Sequence, residues 1–183
     1  IIALTAGLVS TTVMANDVKT SVEQDYNRHL KDLFIHFHQN PELSLLENKT
    51  AAKLSAELSK TGFSVTENVG AEIDGLPSTG IVAIMKNGEG PLVMMRADMD
   101  GLPVKEQTGL KYASKAKQVS TITGKEVSVM HACGHDVHIT SLIGTARYMA
   151  ANKDKWSGTL MLVGQPAEER VMGAKQMMDG NIW

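Results

Sequence analysis

One short stretch, His131-Ala132-Cys133-Gly134-His135-Asp136, holds the chain's single cysteine between two histidines, and Glu168-Glu169 follows after an apolar run. A thiolate, imidazoles and paired carboxylates make up the donor set of a catalytic metal centre. Cys133 and His135 can reach one ion only if the backbone between them turns tightly, and Gly134 supplies that freedom. Of two adjacent glutamates, one can bind metal while the other takes a proton, because successive residues point in different directions. These residue types point to metal-assisted hydrolysis. Zinc, manganese, cobalt and nickel all suit a mixed sulfur, nitrogen and oxygen shell.

Each residue taken alone has a plainer role. Asp98 and Asp100 suit a turn. Cys133 suits a small buried apolar position, and His138 the exposed face of a helix. Glu168-Glu169 suits a solvated helix start, where the helix dipole favours negative charge. Their joint placement after three successive strands argues for one site.

The elements that must position them alternate between helix and strand. Apolar residues at Val22, Tyr26, Leu30, Leu33, Phe34 and Phe37 form a helical stripe that stops before Asn40-Pro41. A second helix runs from Lys49 to Lys60. Strands are expected over 63–69, 80–86 and 91–95, the last two joined as a hairpin by Asn87-Gly88-Glu89-Gly90. A strand over 127–130 leads into the His-Cys loop, a helix over 140–151 follows, 158–164 is a buried strand, and a further helix starts at Met172. The pattern predicts an α/β fold, a mixed sheet sandwiched by helices, with the chemistry at strand ends.

Length and composition allow one good core. The chain has 183 residues, 43% hydrophobic and 21% charged, which suits a single domain. A net charge of -2 with no basic stripe, and 4% aromatic residues, argue against nucleic acid as a partner. Residues 1–15 carry no charge and end in Val13-Met14-Ala15 before polar Asn16-Asp17. This is the pattern of a secretory signal peptide, so residues 16–183 are expected as the exported part, periplasmic or secreted. The run is shorter than the roughly 20 residues of a stable membrane span. A lone cysteine cannot form an internal disulfide, and in an oxidising compartment it is expected to be buried or metal-bound.

Longer strings carry a resemblance. Met95-Arg96-Ala97-Asp98-Met99-Asp100-Gly101-Leu102-Pro103-Val104, then Met130-His131-Ala132-Cys133-Gly134-His135-Asp136, then Gln165-Pro166-Ala167-Glu168-Glu169 resemble the dimetal amidohydrolase and carboxypeptidase family. Hippurate hydrolases, auxin-conjugate hydrolases and N-acyl-amino-acid amidohydrolases belong to it. His38-Gln39-Asn40-Pro41-Glu42-Leu43-Ser44, with Glu47 and Thr50, is similar to the family's N-terminal signature, and the likeness covers residues 26–183.

The resemblance implies a zinc-exopeptidase-like catalytic domain and two divalent metal ions. Cys133, His135 and Glu169 are then metal ligands, Glu168 the general base, and Asp100 the carboxylate that orients a ligand. Asp98, His131, Asp136 and His138 are implied as supporting residues. The substrate is a small N-acyl amino acid or peptide, and the full-length protein a homodimer. All six histidines lie at or before His138, so the two later histidine ligands of full-length relatives have no counterpart here. The chain is therefore expected to be the N-terminal part of such an enzyme, without lid and C-terminal part, and inactive as it stands. The alternative is a degenerate relative acting as a non-enzymatic metal- or ligand-binding module.

Overall fold

The computed structural model describes residues 17–180. The signal-peptide reading of residues 1–15 lies outside them. Residues 17–25 are helical and run through a π turn, Tyr26–Leu30, into α1, Lys31–Gln39. Leu30, Leu33 and Phe37 form its buried side, and the helix ends where Asn40 precedes Pro41, as the stripe predicts. Then come α2 (Asn48–Lys60), β1 (Ser64–Thr66), β2 (Ile81–Asn87), β3 (Leu92–Asp98), β4 (Lys117–Val119) and β5 (Glu126–Ser128). They are followed by α3 (His135–Ala151), β6 (Gly158–Gln165) and α4 (Gly173–Asp179).

The main sheet is mixed, in the order β1-β2-β6-β3. β6 pairs antiparallel with β2 and parallel with β3. The expected hairpin between β2 and β3 therefore does not form, because β6 lies between them. β6, Gly-Thr-Leu-Met-Leu-Val-Gly-Gln, carries no charge and is the strand best suited to a central position buried on both faces. The Asn87–Pro91 link instead passes the start of β6. There the Pro91 carbonyl accepts the Thr159 N–H at 2.9 Å, and a Cβ on Gly90 would stand 3.0 Å from Gly158 Cα. The sequence signal marked a real turn but not its partner strands.

The main core lies on one face of the sheet. Leu54 and Leu58 of α2, with Ile139, Leu142 and Ile143 of α3, pack over Ala83, Ala97 and Leu162. Burying a side chain of this kind contributes on the order of 2 kcal/mol. On the other face Met177 of α4 covers Val82 and Val163, which completes the expected sandwich. β3 is an edge strand with Leu92, Val93 and Met94 exposed. The strand expected over 127–130 is shorter and belongs to a separate ribbon, β4–β5. It still delivers the His-Cys loop, since Leu102 and Met130 exchange backbone hydrogen bonds at 2.9 and 3.0 Å. Among the described residues, no helix is long and apolar enough to cross a membrane.

Candidate metal centre

The parallel register of β3 and β6 sets Asp98 beside Gln165, so the loops that leave both strands emerge at the same edge. The Met99 N–H binds the Gln165 carbonyl at 3.0 Å, and the Gly101 N–H binds the Glu42 carbonyl at 2.7 Å. Three segments, 41–47, 98–102 and 165–169, are thereby stitched together. The His-Cys loop joins them through Gly134. That residue is left-handed at φ 80° and caps α3, so His135 starts the helix immediately after Cys133. The sequence placed this helix start too late; His135, Asp136 and His138 all lie in its first turns.

His135 is buried, and its Nδ1 lies 2.7 Å from the backbone carbonyl of Asp100. A carbonyl can only accept, so Nδ1 carries the proton of this bond. Nε2 is turned toward carboxylates. Asp98 Oδ2, Glu168 Oε2 and Glu169 Oε1 each stand 3.7 Å from it. These distances are too long for hydrogen bonds. They match the roughly 3.4 Å between neighbouring donors that each sit about 2.1 Å from one tetrahedral ion. Glu169 Oε1 is buried and has no hydrogen-bond partner among the described residues, as suits an atom whose partner is a cation. Two donor groups result, Asp98-His135-His138 and His135-Glu168-Glu169, with the atoms of each within 4.8 Å of one another.

The electrostatics follow from these contacts. Burial would lower the His135 pKa, but the Asp100 hydrogen bond and the Asp98 charge override it and raise it to about 9. Burial would raise Asp98, yet the hydrogen bond from His138 at 2.5 Å, with His135 and Arg96 nearby, holds it below the usual range. Asp100 is fully buried and is likewise held low against its burial, by His135, Ser44 and the Glu169 N–H. Its carboxylate accepts the Ser44 hydroxyl at 2.5 Å and the Glu168 and Glu169 N–H groups at 3.1 Å each. It therefore orients the histidine and grips the glutamate turn. That turn is a short 3-10 segment, Glu168–Arg170, rather than the start of an α-helix.

The other sequence candidates divide. Asp98 and His138, expected as supporting residues, each place a potential ligand atom in one donor group with His135. Cys133 is exposed, against the expectation of burial, and belongs to neither group. Its thiol is next to Glu169, whose hydrogen bond and charge raise the thiol pKa. His131 is buried, with no hydrogen-bond partner for either ring nitrogen among the described residues, and burial lowers its pKa to about 4. Asp136 turns away from the carboxylates and meets His38 Nδ1 at 2.7 Å.

The roles of His38, Ser44 and Glu47 were not legible individually, although all lie in the N-terminal signature string. His38 is held between Asp136 and Glu106, whose carboxylates raise its pKa against the opposing effect of burial. Burial raises Glu47 to about 7 despite hydrogen bonds from Ala167 and Thr79. A cavity of about 1050 Å³ between the leading helical segment and α3, lined by Val22, Tyr26 and Val137 among others, includes none of the donor residues.

Known proteins resemble the chain in sequence and in fold. The chain is 41% identical over 147 residues to "Thermostable carboxypeptidase 2" of Saccharolobus solfataricus, covering 79% of this chain and 34% of the relative. It is 40% identical over 147 residues to "Hippurate hydrolase" of Campylobacter jejuni, covering 80% and 33%. The crystal structure of Bacillus subtilis YXEP protein, described as a dinuclear metal binding peptidase from M20 family, superposes with a TM-score of 0.71. Its identity is 32%, over 87% of this chain and 40% of that one. The chain thus spans about a third of the length of the curated relatives it matches. The model of "Peptidase family M20/M25/M40" matches residues 94–182, the segment that carries Asp98, Cys133, His135, Glu168 and Glu169, and over that segment the chain is similar to that family.

Proposed function

We propose that the chain supplies the metal-binding and proton-transfer groups of a metal-dependent amidohydrolase or peptidase acting on N-acyl amino acids or small peptides. One observation carries the reading: Nε2 of a buried, oriented histidine faces three carboxylate oxygens at 3.7 Å each. His135, Asp98, Glu169 and His138 would hold divalent ions, with Cys133 beside Glu169 as a further donor. When bound, such ions polarise the scissile carbonyl and lower the pKa of water.

Glu168 is the general base. Its side chain is more exposed than that of Glu169, 41% against 16%, so it is the one of the pair open to water and substrate. It takes a proton from the attacking water and returns it to the leaving amine. Asp100 fixes where that base stands by holding the Glu168 and Glu169 N–H groups. We place the protein outside the cytoplasm on the uncharged apolar pattern of residues 1–15.

The test is release of free amino acid from a panel of N-acyl amino acids by the full-length gene product loaded with manganese or zinc. Metal-dependent release supports the proposal. Tight metal binding without turnover on any amide favours the non-enzymatic binding module instead.

A further inference from the structure

Glu47 is fully buried at the start of α2, and its side chain is turned away from that helix. Oε1 accepts two backbone N–H groups, from Leu45 at 3.0 Å and Ala167 at 2.8 Å, while Oε2 accepts the Thr79 hydroxyl at 2.8 Å. Leu45 and Ala167 are both non-glycine residues in the left-handed region, at φ 69° and 46°. That conformation crowds Cβ against the carbonyl oxygen and persists where the surroundings impose it. One carboxylate oxygen thus holds two strained residues in different loops.

Both loops lead to the donor groups. Ser44, just before Leu45, donates to Asp100. Ala167 directly precedes the glutamate pair, so three consecutive N–H groups, of residues 167, 168 and 169, all end on buried carboxylates: the first on Glu47, the next two on Asp100. A change of φ at Ala167 would swing both glutamate side chains relative to His135.

We infer that Glu47 is a positioning residue: by holding Ala167 left-handed it sets the direction in which Glu168 and Glu169 leave the backbone, and so the geometry at His135. The consequence for metal rests on the proposed function; the consequence for the turn does not.

The experiment compares Glu47→Leu, which removes the acceptor at similar size, with Glu47→Gln, which keeps an acceptor oxygen. Glu57→Gln serves as control, since Glu57 is also a buried carboxylate of α2 but binds His29, Lys53 and Lys60 away from the site. Amide exchange at Glu168 and Glu169 and the visible spectrum of the cobalt-loaded chain are read alongside a thermal melt. Glu47→Leu is expected to lose protection at both amides, shift the cobalt bands and weaken cobalt binding by roughly 10- to 100-fold. Glu47→Gln should restore most of this, and Glu57→Gln should lower the melting temperature without moving either other readout.

Native protection and native cobalt bands in Glu47→Leu would overturn the inference. If the unmodified chain takes up no cobalt, the metal reading fails while amide exchange still decides the role of Glu47. Should Glu47→Leu not fold, Glu47→Leu/Ala167→Gly is measured, because glycine adopts the left-handed conformation readily. Recovery of the fold with the two amides still unprotected supports the inference. Recovery with native protection, or folding of neither variant, overturns it.

Discussion

His135 turns Nδ1 to the backbone carbonyl of Asp100 at 2.7 Å, which leaves Nε2 facing the carboxylates of Asp98, Glu168 and Glu169. The same residue, Asp100, uses its carboxylate to hold the Glu168 and Glu169 N–H groups. One aspartate between β3 and the His-Cys loop thus sets the histidine tautomer and the position of the glutamates. Metal-bound imidazoles commonly have such a partner on their second nitrogen.

Metal binding is expected to compete with a proton at His135. Its pKa is raised to about 9, so at neutral pH the metal-free imidazole is charged and must release a proton to bind. Affinity should rise about tenfold per pH unit below this value and level off above it. In the metal-free chain the sign is opposite. The stabilising charge on His135 is fully present below its ordinary 6.5 and is lost as pH rises through about 9. Calorimetric metal titrations and thermal melts across this window check both trends, and a pH-independent affinity would contradict the assignment of His135.

Cys133→Ser is expected to weaken zinc and cobalt binding and to abolish thiolate-to-cobalt charge-transfer absorption, because a hydroxyl is a poorer ligand for these ions than a thiolate. The exposed thiol beside Glu169 must shed a proton to bind, and its raised pKa makes this contribution grow with pH. Unchanged affinity and spectrum in the variant would show that Cys133 is a bystander.

Glu168→Gln should keep metal content while lowering turnover of the full-length protein on the order of a hundredfold or more, since the amide cannot accept a proton. Metal analysis and initial rates on the same preparation separate the two effects. Loss of metal together with activity would make Glu168 a ligand instead of the base.

Gly173→Ala tests the support of the glutamate turn from its other side. A Cβ at Gly173 would stand 1.5 Å from the Pro166 carbonyl oxygen, so α4 or the Gln165–Ala167 segment must move. The expected cost is on the order of 2 kcal/mol, read by denaturant unfolding. An alanine variant as stable as the parent would mean that the two segments pack less closely than the structure shows.

The helices and central strands were legible in the sequence because their periodicity reports burial directly, as the stripe ending before Asn40-Pro41 and the uncharged run over 158–164 illustrate. Pairing was less legible. Asn87-Gly88-Glu89-Gly90 marks a turn in the chain, but β6 takes its place between β2 and β3 because it is apolar throughout, a comparison that local turn chemistry does not make. At the site, residue types and spacing singled out His135, Glu168, Glu169 and Asp100, which the fold brings together. They did not separate Asp98 and His138, which gather at His135, from Asp136, which faces His38. Glu47 acts through the backbone N–H of Ala167, far away in sequence, so no local pattern displays its role.

The most direct test of the metal centre is the metal content of the purified chain and of its His135→Ala variant after equilibration with zinc or manganese and removal of free ion. His135 is shared by both donor groups. The account predicts bound metal in the parent chain and its loss in the variant, with the fold retained by circular dichroism. A parent chain that holds no metal, or a variant that holds as much as the parent, would contradict it.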